Sequence, residues 1–312
     1  FLPGATSMDL LGCFAMTELG HGSDVASIET TVTYVPDTDE FEVHSPTPTA
    51  TKAYIGNAAR DGRMAVVFGQ LVVGGEAHGV HAILVPIRDA AGRDLPGVTT
   101  GDHGHKGGLL GVDNGTLAFD GVRVPRRMLL DRYGGVDASG RYASSIDDPN
   151  RRFFTMLGTL VRGRVCVGGG GAIAARRALS IATRHALRRR QFPAPGRPDG
   201  VLLLDYVVHQ RRLLPLLARA YALGFAQNRL VEALVHVQGD QPSTEREQRE
   251  LETFAAGMKA MQTTFANRAV QEAREACGGA GYMSENELTA LRGDVDVFAT
   301  FEGDNTVLLQ LV

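Results

Sequence analysis

Met64-Ala-Val-Val-Phe-Gly-Gln-Leu-Val-Val73 is a long run of strand-forming residues, broken by Gly74-Gly75 and followed from His81 to Ile87 by a second apolar run. Two such runs around a glycine pair predict a β-hairpin. Toward the N-terminus, Ile28, Thr30, Val32 and Tyr34 fall on one face of a period-two stretch. Pro36-Asp37-Thr38-Asp39 is a turn, and Phe41-Glu42-Val43 resumes the strand. Toward the C-terminus, Thr116-Leu117-Ala118-Phe119 and Val122-Arg123-Val124 add strand, with Asp120-Gly121 as a bulge or turn. Five or more strands without a strong helix predict a small antiparallel barrel.

Beyond Gly134-Gly135 the period lengthens. From about Phe153 to Arg190, the residues Leu157, Leu160, Val161, Val165, Leu179 and Leu187 recur at helical spacing. Gly168 to Gly171 interrupts them at a cost of roughly 1 kcal/mol per residue relative to Ala; either a neighbour packs closely there or the helix breaks. A second helix is expected from about Leu202 to His236, kinked at Pro215. A third begins with the capping spacing Thr244-x-x-Glu247, carries Leu251, Phe254, Met258, Met261 and Phe265 on its apolar side, and stops at Gly278-Gly279. A fourth, short one is expected from Ser284-x-x-Glu287 to about Gly293. The expected class is α+β: an antiparallel β-barrel-like domain over residues 1–135, then an antiparallel helical bundle over 136–312. Strands do not alternate with helices, which disfavours a doubly wound sheet.

The 312 residues are 44% hydrophobic and 21% charged, enough for two packed domains and unlike a disordered chain. Lys and Arg number 32 against 35 Asp and Glu, which argues against a nucleic-acid partner. No apolar run approaches the ~18 residues of a membrane span. Cys13, Cys166 and Cys277 form neither a disulfide framework nor a zinc pattern, so a reducing compartment is expected. The composition leans toward a bacterial cytoplasm, with the peroxisome as the eukaryotic alternative. The chain begins at Phe1 and stops in the apolar run Val307–Val312, so it is expected to be the middle of a longer protein. No dinucleotide fingerprint, P-loop or G-x-S-x-G occurs. His78-x-x-His81 and His103-x-His105 lack neighbouring Cys or carboxylate clusters, and no metal is expected.

Gly12-Cys-Phe-Ala-Met-Thr-Glu-Leu-Gly-His-Gly-Ser-Asp24 reads as a strand ending in Thr17 and a glycine-rich turn, a feature that can cradle a phosphate or a flavin edge but is also ordinary strand-turn sequence. Its core, Cys13 to Ser23, resembles the first flavin motif of the acyl-CoA oxidases, within the acyl-CoA dehydrogenase superfamily. The resemblance continues through Ser45-Pro-Thr-Pro-Thr-Ala-Thr-Lys52, Tyr54-Ile-Gly-Asn57, Asp113-Asn-Gly115 and Arg189-Arg-Gln-Phe192, and closes with Cys277-Gly-Gly-Ala-Gly-Tyr282 and Phe301-Glu-Gly-Asp-Asn-Thr306. It implies flavin adenine dinucleotide (FAD) as cofactor and an acyl-CoA thioester as substrate. The implied reaction is α,β-desaturation to the trans-2-enoyl thioester, with dioxygen reduced to hydrogen peroxide. It also implies a preceding helical domain and a further helical domain after the last motif.

Glu302, between Phe301 and Gly303, reads from the residues alone either as a solvated loop carboxylate or as a desolvated base; the resemblance selects the base that takes the α-proton, with its own N–H polarising the thioester oxygen. By resemblance Thr17, Tyr54, Gly56 and Asp304 belong to the flavin site, and Ser23 and Arg164 to the coenzyme A side. Arg189, Arg190 and Gln191 would reach the diphosphate of a neighbouring subunit's flavin, which Gly278 and Gly279 approach closely; this requires at least a homodimer. Gly56 lacks a side chain where the dehydrogenases carry Thr, which would let dioxygen reach the reduced ring. Departures from the oxidase pattern are Asp24 for Asn, Tyr54 for Trp, Ile55 for Pro, His105 for Pro and Ala280 for His. The competing readings are a dehydrogenase that passes electrons to an electron-transfer flavoprotein and a non-catalytic flavin-fold piece.

Overall fold

The computed structural model describes residues 1–239 and 242–312. They form two units, residues 1–106 with 110–157 and residues 107–109 with 158–312.

After a short helix α1 (Leu2–Ser7), the first unit is built from β1 (Gly12–Ala15), β2 (Thr31–Val35), β3 (Glu40–His44), β4 (Lys52–Gly56), β5 (Met64–Val73), β6 (Glu76–Pro86), β7 (Val98–Asp102), β8 (Asn114–Phe119) and β9 (Val122–Pro125). The hairpin read from the sequence is β5–β6, and both turn glycines have positive φ, Gly74 at 60° and Gly75 at 87°, as a two-residue hairpin turn requires. β6 covers one edge of β5. The other edge is shared: β1 pairs in parallel with Met64–Val67, and β2 in parallel with Gln70–Val72. β3 and β9 extend this six-stranded sheet beyond β2, while β4, β8 and β7 make a separate antiparallel sheet. The α+β class expected from the sequence holds, and the pairings of these strands are antiparallel except for two, β1 and β2 along β5, which are parallel. Asp120-Gly121, with Gly121 at φ 63°, carries the chain from one sheet to the other. Alternation does the rest: Val32, Phe41, Val43, Leu71 and Val85 from the large sheet share one core with Ile55, Leu117 and Phe119 from the small one.

This unit runs past residue 135. A small hairpin, β10 (Gly135–Val136) with β11 (Tyr142–Ala143), and α2 (Pro149–Met156) belong to it. The buried Arg152 of α2 donates to the carbonyls of His78 and Ile146 and lies over the Tyr142 ring. Tyr142 in turn bonds His81 through its hydroxyl at 3.0 Å. Polar residues in a loop of mixed composition hold this helix to the sheet, so the change of period near residue 135 precedes the change of unit at 157.

The second unit contains α3 (Leu160–Ala186), the strand pair β12 (Arg190–Gln191) and β13 (Val201–Leu202), α4 (Val207–Gln238), α5 (Glu245–Ala276), α6 (Leu288–Asp296) and α7 (Asn305–Leu308). The expected helix over 153–190 is thus two helices separated at 157–159, and it stops at Ala186 because Arg190-Gln191 turns into the strand pair. The four glycines do not break α3. A side chain on Gly168 would lie 2.5 Å from Gln262 Oε1, one on Gly169 2.8 Å from Gln227 Nε2, and one on Gly171 3.5 Å from Ala266. Close packing against α4 and α5 is the reason for them, and it offsets their poor helix propensity. α4 contains Pro215 within its span. α5 begins with the expected capping box between Thr244 and Glu247. The same spacing at Ser284 and Glu287 does not cap α6, because Glu287 adopts φ 63° and accepts from Arg177 of α3.

Candidate active site

Glu302 sits on the turn between α6 and α7, with φ 57°, and Gly303 follows at φ 100°. Two consecutive left-handed residues turn the carboxylate back toward α3, where its Oε2 is buried without a hydrogen-bond partner. Contact is possible because residue 163 is glycine: any side chain there would lie 2.5 Å from Oε2. Burial pushes the Glu302 carboxyl above the usual carboxylate range, against the pull of the Arg164 and Lys259 cations. Arg164, next to Gly163 on α3, is itself pulled down by burial, against Glu302 and Glu252. No hydrogen bond among the described residues uses the Glu302 N–H. A carboxylate with weakened solvation, an open oxygen and a free N–H beside it can accept a proton from a carbon acid while an adjacent oxygen is polarised.

The turn is gripped from α5. Lys259, fully buried, donates to the Gly303 carbonyl at 2.6 Å and to Asn305 Oδ1 at 2.9 Å. Asp304, expected at the flavin, caps α7 by accepting from the N–H groups of Thr306 and Val307. The sequence reading missed Gly163 and Lys259. A signal for Lys259 existed, since it stands four residues after Ala255 and three before Gln262 on the buried stripe of α5.

In the β unit, Thr17 and Tyr54 lie on neighbouring segments, joined by the bond from Ala53 N–H to the Thr17 carbonyl at 3.0 Å. Beneath them Glu18 and Lys52 form a fully buried ion pair at 3.0 Å. Lys52 also donates to the carbonyls of Met16 and Phe68, and Glu18 accepts from the Glu29 and Thr30 N–H groups and the Thr30 hydroxyl. β4 is bulged between Lys52 and Ile55, and Tyr54 takes φ 63° there. Its ring is exposed and stacks on His103 with centroids 4.8 Å apart, while its N–H donates to His103 Nε2 at 2.8 Å. Asp113 fixes the loop beyond, accepting from the N–H groups of Ala59, Arg60 and Asp61. A side chain on Gly56 would meet no atom within 4 Å, and Ser23 is exposed. An exposed aromatic platform beside open space suits a planar ring system such as a flavin.

Arg189 and Arg190 are exposed, and Arg190 donates to the Gly200 carbonyl at 3.0 Å. The Gln191 carbonyl accepts from the Tyr206 hydroxyl at 2.8 Å. Gly278, at φ 58°, and Gly279 are exposed, with no atom of the chain within 4 Å of a would-be side chain. The packed glycine of that segment is Gly281, where a side chain would lie 2.0 Å from the Arg274 carbonyl.

Three of the four histidines in the two sequence pairs have structural partners: His78 stacks on Tyr142, His81 bonds its hydroxyl, and His103 serves Tyr54. Among the described residues one group has metal-like spacing, Glu18, His21 and Glu29. Both of its carboxylates are already engaged by Lys52, by threonine hydroxyls and by backbone N–H groups.

Residues 13–122 match the family described as acyl-CoA dehydrogenase, middle domain, and residues 157–312 match acyl-CoA oxidase, C-alpha1 domain. The chain belongs to the acyl-CoA oxidase family. It is 46% identical over 301 residues to the putative peroxisomal acyl-coenzyme A oxidase 3.2 of Arabidopsis thaliana, covering 96% of this chain and 44% of that protein. It is 42% identical over 311 residues to the peroxisomal acyl-coenzyme A oxidase 3 of Homo sapiens, covering 97% and 44%. Among solved structures, acyl-CoA oxidase 1 of Arabidopsis thaliana superposes with a TM-score of 0.88 at 38% identity, covering 100% of this chain and 47% of that one. Acyl-CoA oxidase-1 of Caenorhabditis elegans, complexed with FAD and ATP, gives 0.90 at 34%, covering 100% and 46%. The chain therefore spans less than half the length of these relatives. The compositional lean toward a bacterial cytoplasm finds no support, since these curated relatives are named peroxisomal. No helix among the described residues is long and apolar enough to cross a membrane.

Proposed function

We propose that this chain supplies the flavin-binding and proton-abstracting parts of an FAD-dependent acyl-CoA oxidase, which converts an acyl-CoA to its trans-2-enoyl thioester and reduces dioxygen to hydrogen peroxide. The observation that carries this reading is Glu302: a carboxylate of raised basicity, turned inward by two left-handed residues, with one oxygen unpartnered. Glu302 takes the proton from the carbon next to the thioester carbonyl. Its N–H donates to the carbonyl oxygen as negative charge develops there. Arg164 offers a cation beside the site for an anionic part of the coenzyme A moiety. Flavin adenine dinucleotide, when bound, supplies the acceptor for the β-hydride and hands the electron pair to dioxygen.

The residues available for that cofactor fit it. Tyr54 presents an exposed ring, Gly56 leaves open space beside it, and Thr17 lies on the adjoining segment. Arg189, Arg190 and Gln191, with the open Gly278-Gly279 segment, suit a flavin diphosphate held by a second copy of the chain. The full-length enzyme, assayed with a panel of acyl-CoA chain lengths and peroxide detection, tests the reading. Substrate-dependent peroxide is expected. Turnover with a dye acceptor but no peroxide would make it a dehydrogenase, and a colourless protein without turnover would reject the enzyme altogether.

A further inference from the structure

Glu302 stands on a turn that its own local conformation does not favour. A glutamate at φ 57° is costly, and the φ of 100° at Gly303 makes two left-handed residues in succession. Something must over-determine the turn; Asp304 caps the helix that follows it, and a further set of bonds comes from one stretch of α5. Lys259 Nζ donates to the Gly303 carbonyl at 2.6 Å and to Asn305 Oδ1 at 2.9 Å. The two N–H groups of the Asn305 amide point to Thr263 Oγ1 at 2.9 Å and Thr264 Oγ1 at 3.1 Å, with the Ala260 carbonyl a shared acceptor at 3.3 Å. Thr263 closes the set by donating to the Lys259 carbonyl at 2.9 Å. A fully buried ammonium is expensive, and a neutral amide, with two N–H donors, would serve these two acceptors at less cost. What only a cation supplies is a field at the base.

We propose that Lys259 is a positioning residue for the reaction, holding the Glu302 turn through the Gly303 carbonyl; this rests on reading Glu302 as the base. The charged groups facing Glu302 are Arg164 from α3 and Lys259 from α5. Glu252, also on α5, acts on Arg164, and Asp304 of the same turn acts on Lys259. Burial weakens Glu302 as an acid, and the two cations restrain that effect. Desolvation pulls Lys259 itself down to about 8, so near neutrality the ammonium is still largely protonated. Removing its charge leaves Arg164 as the cation acting on Glu302 among the described residues, and protonation of the base then persists to higher pH.

The test uses the full-length, FAD-loaded enzyme with Lys259→Gln, Lys259→Met and Lys259→Arg. Three quantities are read: kcat, the acid limb of the kcat pH profile, and the titration of the Glu302 carboxyl by infrared difference spectroscopy in substrate-free protein, assigned with Glu302→Gln. The neutral variants are expected to lose ~10- to 10²-fold in kcat. In both, the acid limb and the carboxyl titration move to higher pH, whereas Lys259→Arg returns the titration toward wild type. A folded Lys259→Gln protein with kcat within ~2-fold of wild type and an unmoved titration overturns the proposal. So does failure of both neutral variants to fold, which would make Lys259 a fold element alone. Absence of turnover in the wild type defeats the oxidase reading, but the carboxyl titration still decides the influence of Lys259 on Glu302.

Discussion

A methyl group on Gly163 of α3 would lie 2.5 Å from Oε2 and 2.8 Å from Cδ of Glu302. The helix and the carboxylate therefore touch at a place where only hydrogen fits. Alanine is the better helix former by up to ~1 kcal/mol, so Gly163→Ala should leave the fold intact. The carboxylate, however, must move aside, and displacement of a reacting group by about an ångström costs on the order of 10²-fold in rate. The expected result is a normal thermal midpoint, normal flavin content and a kcat at least ~10-fold down. Wild-type turnover in a folded Gly163→Ala protein would show that Glu302 does not work from this position.

Glu302→Gln follows from the same desolvation. The folded-state pKa of Glu302 is raised, so folding favours the protonated form and stability from this group is lost as pH rises through the folded value. At neutral pH the ionised carboxylate is a liability to the fold, and the neutral amide removes it. The variant should melt slightly higher than wild type, while losing turnover by at least ~10²-fold. The acid limb of the wild-type rate profile should lie above the ordinary glutamate value, because the base must be ionised to act. Calorimetry together with peroxide assays from acid to neutral pH checks both signs; a lower melting point or an acid limb at the ordinary value contradicts the argument.

How much of this was readable beforehand differs by residue. The β5–β6 hairpin and the Thr244 capping box are set by neighbours in sequence, and local pattern finds them. The Phe301-to-Thr306 segment was recognisable as a pattern, yet its consequence, an inward carboxylate, depends on Gly163 some 140 positions earlier, which no local rule connects to it. Gly168 to Gly171 could be narrowed to two outcomes, and only the facing Gln262, Gln227 and Ala266 decide between them. Ser284-x-x-Glu287 misled because a distant partner, Arg177, took the glutamate that the cap needed. The parallel placement of β1 and β2 along β5 was equally out of reach, since strand order is a property of the whole sheet.

The pair Glu18–Lys52 is a second buried dependence. Burial pushes the Glu18 carboxyl up, but Lys52, the Thr30 hydroxyl and two backbone N–H groups outweigh it and hold the carboxyl below its usual range. Its contribution to stability is therefore complete above the ordinary value near 4.5 and is lost as pH falls through the lower folded value. Lys52→Met leaves Glu18 charged, buried and without its cation, at a cost of ~3–5 kcal/mol. Adding Glu18→Gln should recover part of that loss. Thermal melts of the two variants at pH 7 measure it, and equal stability of Lys52→Met and wild type would show the pair to be dispensable.

If the chain acts as proposed, Gly56 is the position at which the choice of electron acceptor can be tested. It follows the bulge at Tyr54, has no positive φ, and has no atom of the chain within 4 Å of a would-be side chain. A threonine there strains nothing in this chain, so Gly56→Thr should change stability by less than ~0.5 kcal/mol. It would, however, fill the space beside the exposed Tyr54 ring, which is the expected face for the flavin. If dioxygen enters through that opening, reoxidation slows while the reductive half-reaction does not. Stopped-flow absorbance separates the two: flavin bleaching by acyl-CoA under anaerobic conditions should keep its rate, and recovery of the oxidised spectrum on mixing with oxygenated buffer should fall by ~10-fold or more, about 1.4 kcal/mol in barrier. Unchanged recovery would mean that the gap at Gly56 is not the route of oxygen, and preference for oxygen would then have to be sought elsewhere around the ring.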